Sequence, residues 1–453
     1  MSRLKSLPSV SLILEKIKGE LSFHENYLKL LINRELGFLR HQIISKNMLI
    51  DKEKVIDIII TKVKNKASFS LVNIINGTGI VLHTGFGRAP FNGERLREIA
   101  DKLDGYINLE YDLNNNRRGD RQNHINEHIS SICDVESSLI VNNNAAALLL
   151  TINTLSDDCE VICSRGQIVE IGGSFRISKI IEKGGAILKE VGATNRTHID
   201  DYESAITHKT KMLLWVHTSN YILKGYTKQV PLEDIVKLGK KHNIPVLADL
   251  GSGTFLALDK FGVPSEAPLI EIVKKGPDII LFSGDKMLGG PQSGIILASR
   301  NITNQIKSNT LYRTVRCDKI TITMLDQTIR TYTRKGFSNL NLALSLLTST
   351  RKDLEKIGKK IINNIPSKKI KVLGLTMEES FVEAGSGSLP EKNIESIALK
   401  FNSSVLSANE LSLLFKGAEV PIIGYIQKEF FFIDLKAILP SQISKIITTI
   451  NNI

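Results

Sequence analysis

From Val72 to about Arg330, short apolar runs alternate with helical stretches, and this alternation constrains the fold more than any other feature. The runs Glu160–Cys163, Ala186–Val191, Met212–His217, Pro245–Asp249, Asp278–Ser283 and Ile295–Ser299 are short and β-rich. Helical candidates such as Asn144–Leu155 and Leu232–His242 separate them. This order predicts a mostly parallel sheet wound with helices. In such sheets the ligand sits beyond the carboxyl ends of the strands. The residues expected there are Arg165, Ser219, Asp249 and Lys286.

Two of these suggest a chemistry. Lys286 stands on a turn rich in small residues, between the runs Asp278–Phe282 and Gly294–Ala298. A lysine held in a closed pocket loses proton affinity through desolvation and becomes a Schiff-base former. Asp249, 37 residues earlier, ends another strand. An aspartate and a later lysine at strand ends suit pyridoxal 5'-phosphate: the aspartate keeps the ring nitrogen protonated and the lysine holds the aldehyde. The bland alternative is two polar side chains that never meet. Asn142 or Asn143 is placed to cap the following helix, whose free N–H groups suit a phosphate. Ser283 could add a hydroxyl to that phosphate, and Ser219 or Asn220 could approach the phenolic oxygen of the ring.

The flanking regions read differently. Residues 8–66 show helical spacing without strand alternation, with Ser9 or Ser11 as a cap. Residues 1–70 hold 13 Lys+Arg against 7 Asp+Glu, half of the net +12 of the 453-residue chain. Such an excess suits a polyanionic partner or merely solvates helix faces. After about Thr331, a long helix is expected over 338–365. Strand-like pieces follow at Ile370–Leu373, Val420–Gln427 and Glu429–Leu435. The predicted organisation is a helical domain at 1–68, a large α/β domain at 69–330 and an α+β domain at 331–453. No apolar run is long enough to cross a membrane, no signal peptide is evident, and the four cysteines read as reduced thiols. The expectation is a cytoplasmic protein with no metal site.

Several segments carry a resemblance to a known family. They include Leu7–Val10, Ile75–Thr84 with Gly87–Pro90, Asn142–Ala146, Ser164–Gly166, Glu170–Arg176 and Glu190–Gly192 with Thr194–Thr197. His217–Tyr221, Asp249–Gly253, Ser283–Lys286 with Gly289–Gln292, and Arg313 through Asp318-Lys319 continue the match in order. The chain resembles the bacterial selenocysteine synthases, the L-seryl-tRNA(Sec) selenium transferases. The resemblance implies a pyridoxal-phosphate-dependent transferase of the aminotransferase-like fold, fold type I. It implies conversion of L-seryl-tRNA(Sec) to L-selenocysteinyl-tRNA(Sec), with selenophosphate as selenium donor. Lys286 would hold the cofactor and act as base at the seryl Cα. Arg88, Arg121, Arg313 and Arg316 would bind selenophosphate, because guanidinium forks suit its oxygens. His83 and Asp285 would assist departure of the hydroxyl. The resemblance further implies a large ring-shaped homo-oligomer and an N-terminal domain that grips the tRNA.

The chain departs from the family pattern in places. Gly77 replaces a usual alanine, Gly85-Phe86 a usual Asn-Leu, and Trp215 a frequent lysine. Gly119-Asp-Arg-Gln122 replaces a usual Gly-Ser-Arg-His. The other readings are a related pyridoxal-phosphate lyase acting on a small amino acid or amino-sugar phosphate, and a tRNA-binding protein with a dead catalytic core.

Overall fold

A computed structural model describes residues 7–21, 23–46, 51–171, 175–218, 221, 223–261, 263, 267–336, 340–388 and 394–453. The chain forms two compact units, Met1–Ile74 and Ile75–Ile453.

The first unit is helical: α1 (Val10–Ile17), α2 (Glu25–Lys46) and α3 (Lys52–Ala67). Ser9, not Ser11, caps α1; its Oγ accepts from the Leu12 N–H at 3.2 Å. Ile13, Ile17, Leu28, Ile32, Val55, Ile59 and Val63 form its core. Glu35 is buried within this unit and pairs with Lys62 and Lys66. Burial pushes its carboxyl up, but the hydrogen bonds from the two lysines outweigh that and hold it below the usual range.

The second unit is organised by seven strands: β1 (Ser137–Val141), β2 (Glu160–Ser164), β3 (Ile187–Val191), β4 (Thr210–Val216), β5 (Val246–Asp249), β6 (Ile279–Ser283) and β7 (Gly294–Ala298). Across the sheet their order is β1-β7-β6-β5-β4-β2-β3. Only β7 runs antiparallel to its neighbours. The central strands β5, β6 and β7 are near-continuous apolar runs because both faces are covered, whereas the edge strand β3 carries Lys189 and Glu190. Alternate residues serve different cores. Ile280, Phe282, Ala248 and Ile295 join one cluster, whereas Ile279, Leu281, Leu247 and Ile296 join the other.

β1 lies at the edge of the sheet, where outward N–H groups need partners. Helix α4 (Asn123–Cys133) and its N-cap Gln122 supply two of them. The Ser138 N–H donates to Asn126 Oδ1 at 2.6 Å, and the Ile140 N–H to Gln122 Oε1 at 2.9 Å. The Asn142 N–H donates to the Val315 carbonyl at 2.9 Å. Three successive outward donors are thus satisfied from outside the sheet.

The C-terminal part carries an antiparallel sheet of β8 (Leu375–Val382), β9 (Ile394–Phe401), β10 (Tyr425–Gln427) and β11 (Phe430–Asp434), in the order β8-β9-β11-β10. Two expectations are corrected here. The described part of 338–365 is not one helix but two, Leu342–Leu347 and Arg351–Ile362; Thr350 starts the second by accepting from the Asp353 N–H at 3.3 Å. Ile370–Leu373 is helical, within Ser367–Leu373, and the strand begins only after Gly374, whose φ of +53° ends the helix. Among the described residues no helix is long and apolar enough to cross a membrane.

Candidate active site

The carboxyl ends of β5 and β6 lie side by side, with Asp249 in register with Leu281. Asp249 is 4% exposed and Lys286 6% exposed, so both are removed from water. Close packing of the turn after β6 makes this possible. Gly289 has φ of +69°, and a Cβ there would stand 2.3 Å from Asn341 Oδ1. Gly294 lets β7 start against the helix N-terminus: a Cβ there would stand 2.2 Å from the Asn143 carbonyl oxygen.

Asp249 receives a hydrogen bond from Asn144 Nδ2 at 2.8 Å and from the Gly251 N–H at 3.1 Å. Burial nevertheless raises its pKa; those two bonds and the nearby charges of Lys286 and His217 only offset the shift. A cationic ring nitrogen beside this carboxyl would supply the missing compensation. Asn144 Oδ1 and Ser252 Oγ are buried and have no partner among the described residues. A buried aspartate short of positive charge, a buried lysine and unsatisfied polar atoms together fit pyridoxal phosphate.

The phosphate end fits as well. Asn143 is the N-cap of α5 (Asn144–Leu155), its side chain accepting from the Ala146 N–H at 2.8 Å. Asn142 is exposed and contributes its backbone N–H to Val315. Ser283 is buried at the end of β6, opposite Gly294 of β7, which in turn faces Val141. Ser219 and Asn220 lie outside the described residues.

Around Lys286 the structure gathers three further expected residues. Asp285 accepts from Arg88 Nη1 at 2.7 Å. The Arg88 N–H donates to the His83 carbonyl at 3.0 Å, and the Ala89 N–H to the Asp285 carbonyl at 3.3 Å. Arg88 holds φ of +62°, an uncommon conformation for a non-glycine residue. His83 Nδ1 accepts from the Gly85 N–H at 3.1 Å, so the neutral ring carries its proton on Nε2. Burial lowers its pKa, and its ring stacks on Phe86 at 3.9 Å.

The remaining arginines are separate. Arg316 bridges to Val141 at the outer edge of β1. The row Ser283, Gly294, Val141, Arg316 crosses three strand intervals, about 14 Å at the usual spacing. Arg121, Arg118 and Arg316 all bond to Glu110. Arg313 is exposed and makes no ion pair among the described residues. Asn144 and Glu110 were not anticipated from sequence. The signal for Asn144 is the Asn142-Asn-Asn144 run, and for Glu110 an acid, with Asp112, preceding three arginines.

The two atypical residues of the 119–122 segment have structural work. Asp120 pairs with Lys307. Gln122 bonds both backbone groups of Ile140, and its Nε2 also donates to the Tyr312 hydroxyl at 2.8 Å. Trp215 donates Nε1 to the Val230 carbonyl at 3.3 Å and stacks on His217.

Comparison with known proteins agrees with this geometry. Residues 74–439 match the model of the L-seryl-tRNA selenium transferase family. An L-seryl-tRNA(Sec) selenium transferase of Carboxydothermus hydrogenoformans is 38% identical over 97% of this chain and 95% of its own length. One from Aquifex aeolicus is 36% identical over 100% and 99%. Among solved structures, D-glucosaminate-6-phosphate ammonia-lyase superposes with a TM-score of 0.60 at 18% identity, covering 84% of this chain and 95% of that one. The fold is the expected α/β, aminotransferase-like one, and pyridoxal phosphate is the cofactor.

Proposed function

Since the chain belongs to the L-seryl-tRNA selenium transferase family, we propose that it converts L-seryl-tRNA(Sec) to L-selenocysteinyl-tRNA(Sec) with selenophosphate as donor. The net exchange is balanced: the seryl β-hydroxyl is replaced by a selenol, and the phosphoryl group leaves the selenium as phosphate. The burial of both Lys286 and Asp249 at the ends of adjacent strands carries this reading, because it offers a base and a ring partner away from water.

When bound, the protonated ring of the cofactor acts as an electron sink that loosens the substrate Cα proton. Asp249, oriented by Asn144, keeps the ring nitrogen protonated. The first-turn N–H groups of α5, whose turn Asn143 fixes, would hold the phosphate together with Ser283. Lys286 anchors the cofactor and takes the Cα proton. Asp285 and His83, joined through Arg88, serve the departing hydroxyl. Arg88, on Asp285, contributes a cationic group for the donor, whereas Arg316 and the outward-facing Arg313 lie apart from it and serve the donor of a neighbouring copy in a ring-shaped homo-oligomer. The helical unit with its basic excess grips the tRNA, and the enzyme works in the cytoplasm.

The test is reconstitution. Purified protein with cofactor, seryl-tRNA(Sec) and selenophosphate should yield selenocysteinyl-tRNA. Borohydride should fix a pyridoxyl group on the peptide containing Lys286. Turnover by Lys286→Ala at the normal rate, or a label on another lysine, would overturn the assignment.

A further inference from the structure

Three guanidinium groups converge on one carboxylate. Arg121 gives Nε and Nη2 to Glu110 Oε1 at 2.8 and 2.7 Å. Arg316 gives Nη1 to the same oxygen at 3.1 Å, and Arg118 reaches Oε2 at 3.3 Å. Arg121 also donates Nη1 to the Cys317 carbonyl, so its guanidinium is engaged on three sides by its own chain. Arg316 differs: its Nε is buried and has no acceptor among the described residues. A buried donor left unpaired is costly. Beside it lies a cavity of about 190 Å³, lined by Gly119, Lys307 and Tyr312 as well as by the charged cluster.

We propose that Glu110 is a positioning residue for the selenium donor. By sharing one oxygen between Arg121 and Arg316, it fastens Arg316 so that the part of its guanidinium lining the cavity is presented to a small tetrahedral oxyanion, whose arrival also draws the unpaired Nε toward an acceptor. Arg121 is then a strut rather than a ligand. Lys307 is drawn toward Asp120, which leaves Arg316 as the principal donor of this cluster. The inference rests on the donor role proposed for Arg316 and deepens it.

The sign of one substitution separates this from plain electrostatics. Glu110 carries a negative charge beside an anion site. If charge alone mattered, Glu110→Gln would tighten donor binding, by up to about a hundredfold for charges some 6 Å apart at an effective dielectric constant near 20. If Glu110 positions Arg316, the same substitution weakens binding.

The experiment uses full-length holoenzyme with seryl-tRNA(Sec). It measures KM for selenophosphate and, without donor, exchange of the seryl Cα hydrogen with solvent. Glu110→Gln should raise KM for selenophosphate about tenfold or more and leave Cα exchange in place. Glu110→Asp should recover part of the loss. Arg121→Ala should reproduce Glu110→Gln, and the double variant should be no worse than either single one, since both break the same strut. An unchanged or lower KM in Glu110→Gln would overturn the inference, as would additive losses in the double variant. If Arg316→Ala leaves KM unchanged, the donor site itself lies elsewhere, and that failure is distinct from a failure of Glu110 alone.

Discussion

Gln122 offers the sharpest test of how the site is held, because its side-chain amide substitutes for a neighbouring strand. It accepts from the Ile140 N–H at 2.9 Å, donates to the Ile140 carbonyl at 2.9 Å and donates to the Tyr312 hydroxyl at 2.8 Å. Ile140 is fully buried and Gln122 only 4% exposed, so water does not replace these bonds without a rearrangement. Gln122→Ala orphans one buried N–H, at about 1–3 kcal/mol. The carbonyl suffers less, since acceptors tolerate partial satisfaction better. At about 1.4 kcal/mol per factor of ten, the Ile140 amide should exchange about 5- to 150-fold faster. Hydrogen exchange with fragment-level mass spectrometry on 137–142 reads this directly, with β6 as an internal control. Gln122→His should restore part of the protection through one ring nitrogen. An Ile140 amide as slow in Gln122→Ala as in the parent would refute the reasoning.

Other expectations follow from the same geometry. Asp249→Asn should retain cofactor but lose most of the rate of Cα proton removal, read as solvent exchange at the seryl Cα; a rate within twofold of the parent would contradict the role given to the buried carboxyl. Glu35 has a lowered folded pKa, so its contribution to stability is present above the ordinary value of 4.5 and is lost as pH falls through the folded value. Acid unfolding followed by circular dichroism should therefore show a steeper loss in the parent than in Glu35→Gln. Residues 75–453 alone should keep the cofactor absorbance and lose most of their tRNA affinity, and binding by the full chain should fall steeply with salt. Equal affinity in the two would make the basic helices a solvated surface.

The strand-end residues were legible because buried parallel strands leave a plain pattern. Asp249 and Lys286 each follow an apolar run that cannot be a surface helix, and a charge at such a place is informative. Asn144 was not, because three successive asparagines differ only in helix phase: Asn143 caps, and the next residue points to Asp249. Glu110 was hidden by distance, since its Arg316 partner lies 206 residues away. Ile370–Leu373 is too short for its period to separate strand from helix. Pro366 before it and Gly374 after it were the better signals, one preceding a helix and the other ending it. The Thr350-x-x-Asp353 cap likewise marked a new helix start inside what read as one apolar period.

The closed edge of β1 also bears on biosynthesis. β1 ends at residue 141, and its strand neighbour in the central sheet, β7, begins at 294, so 152 residues are made between them. At about 5–20 residues per second, a ribosome needs roughly 8–30 s to supply that neighbour. During this interval an apolar strand would be exposed on both edges. Gln122 and Asn126 precede their partners Ile140 and Ser138 by only 18 and 12 residues and can engage one edge as soon as the strand emerges. The side chains that complete the sheet in the finished protein are thus the earliest available guard against pairing with another nascent chain.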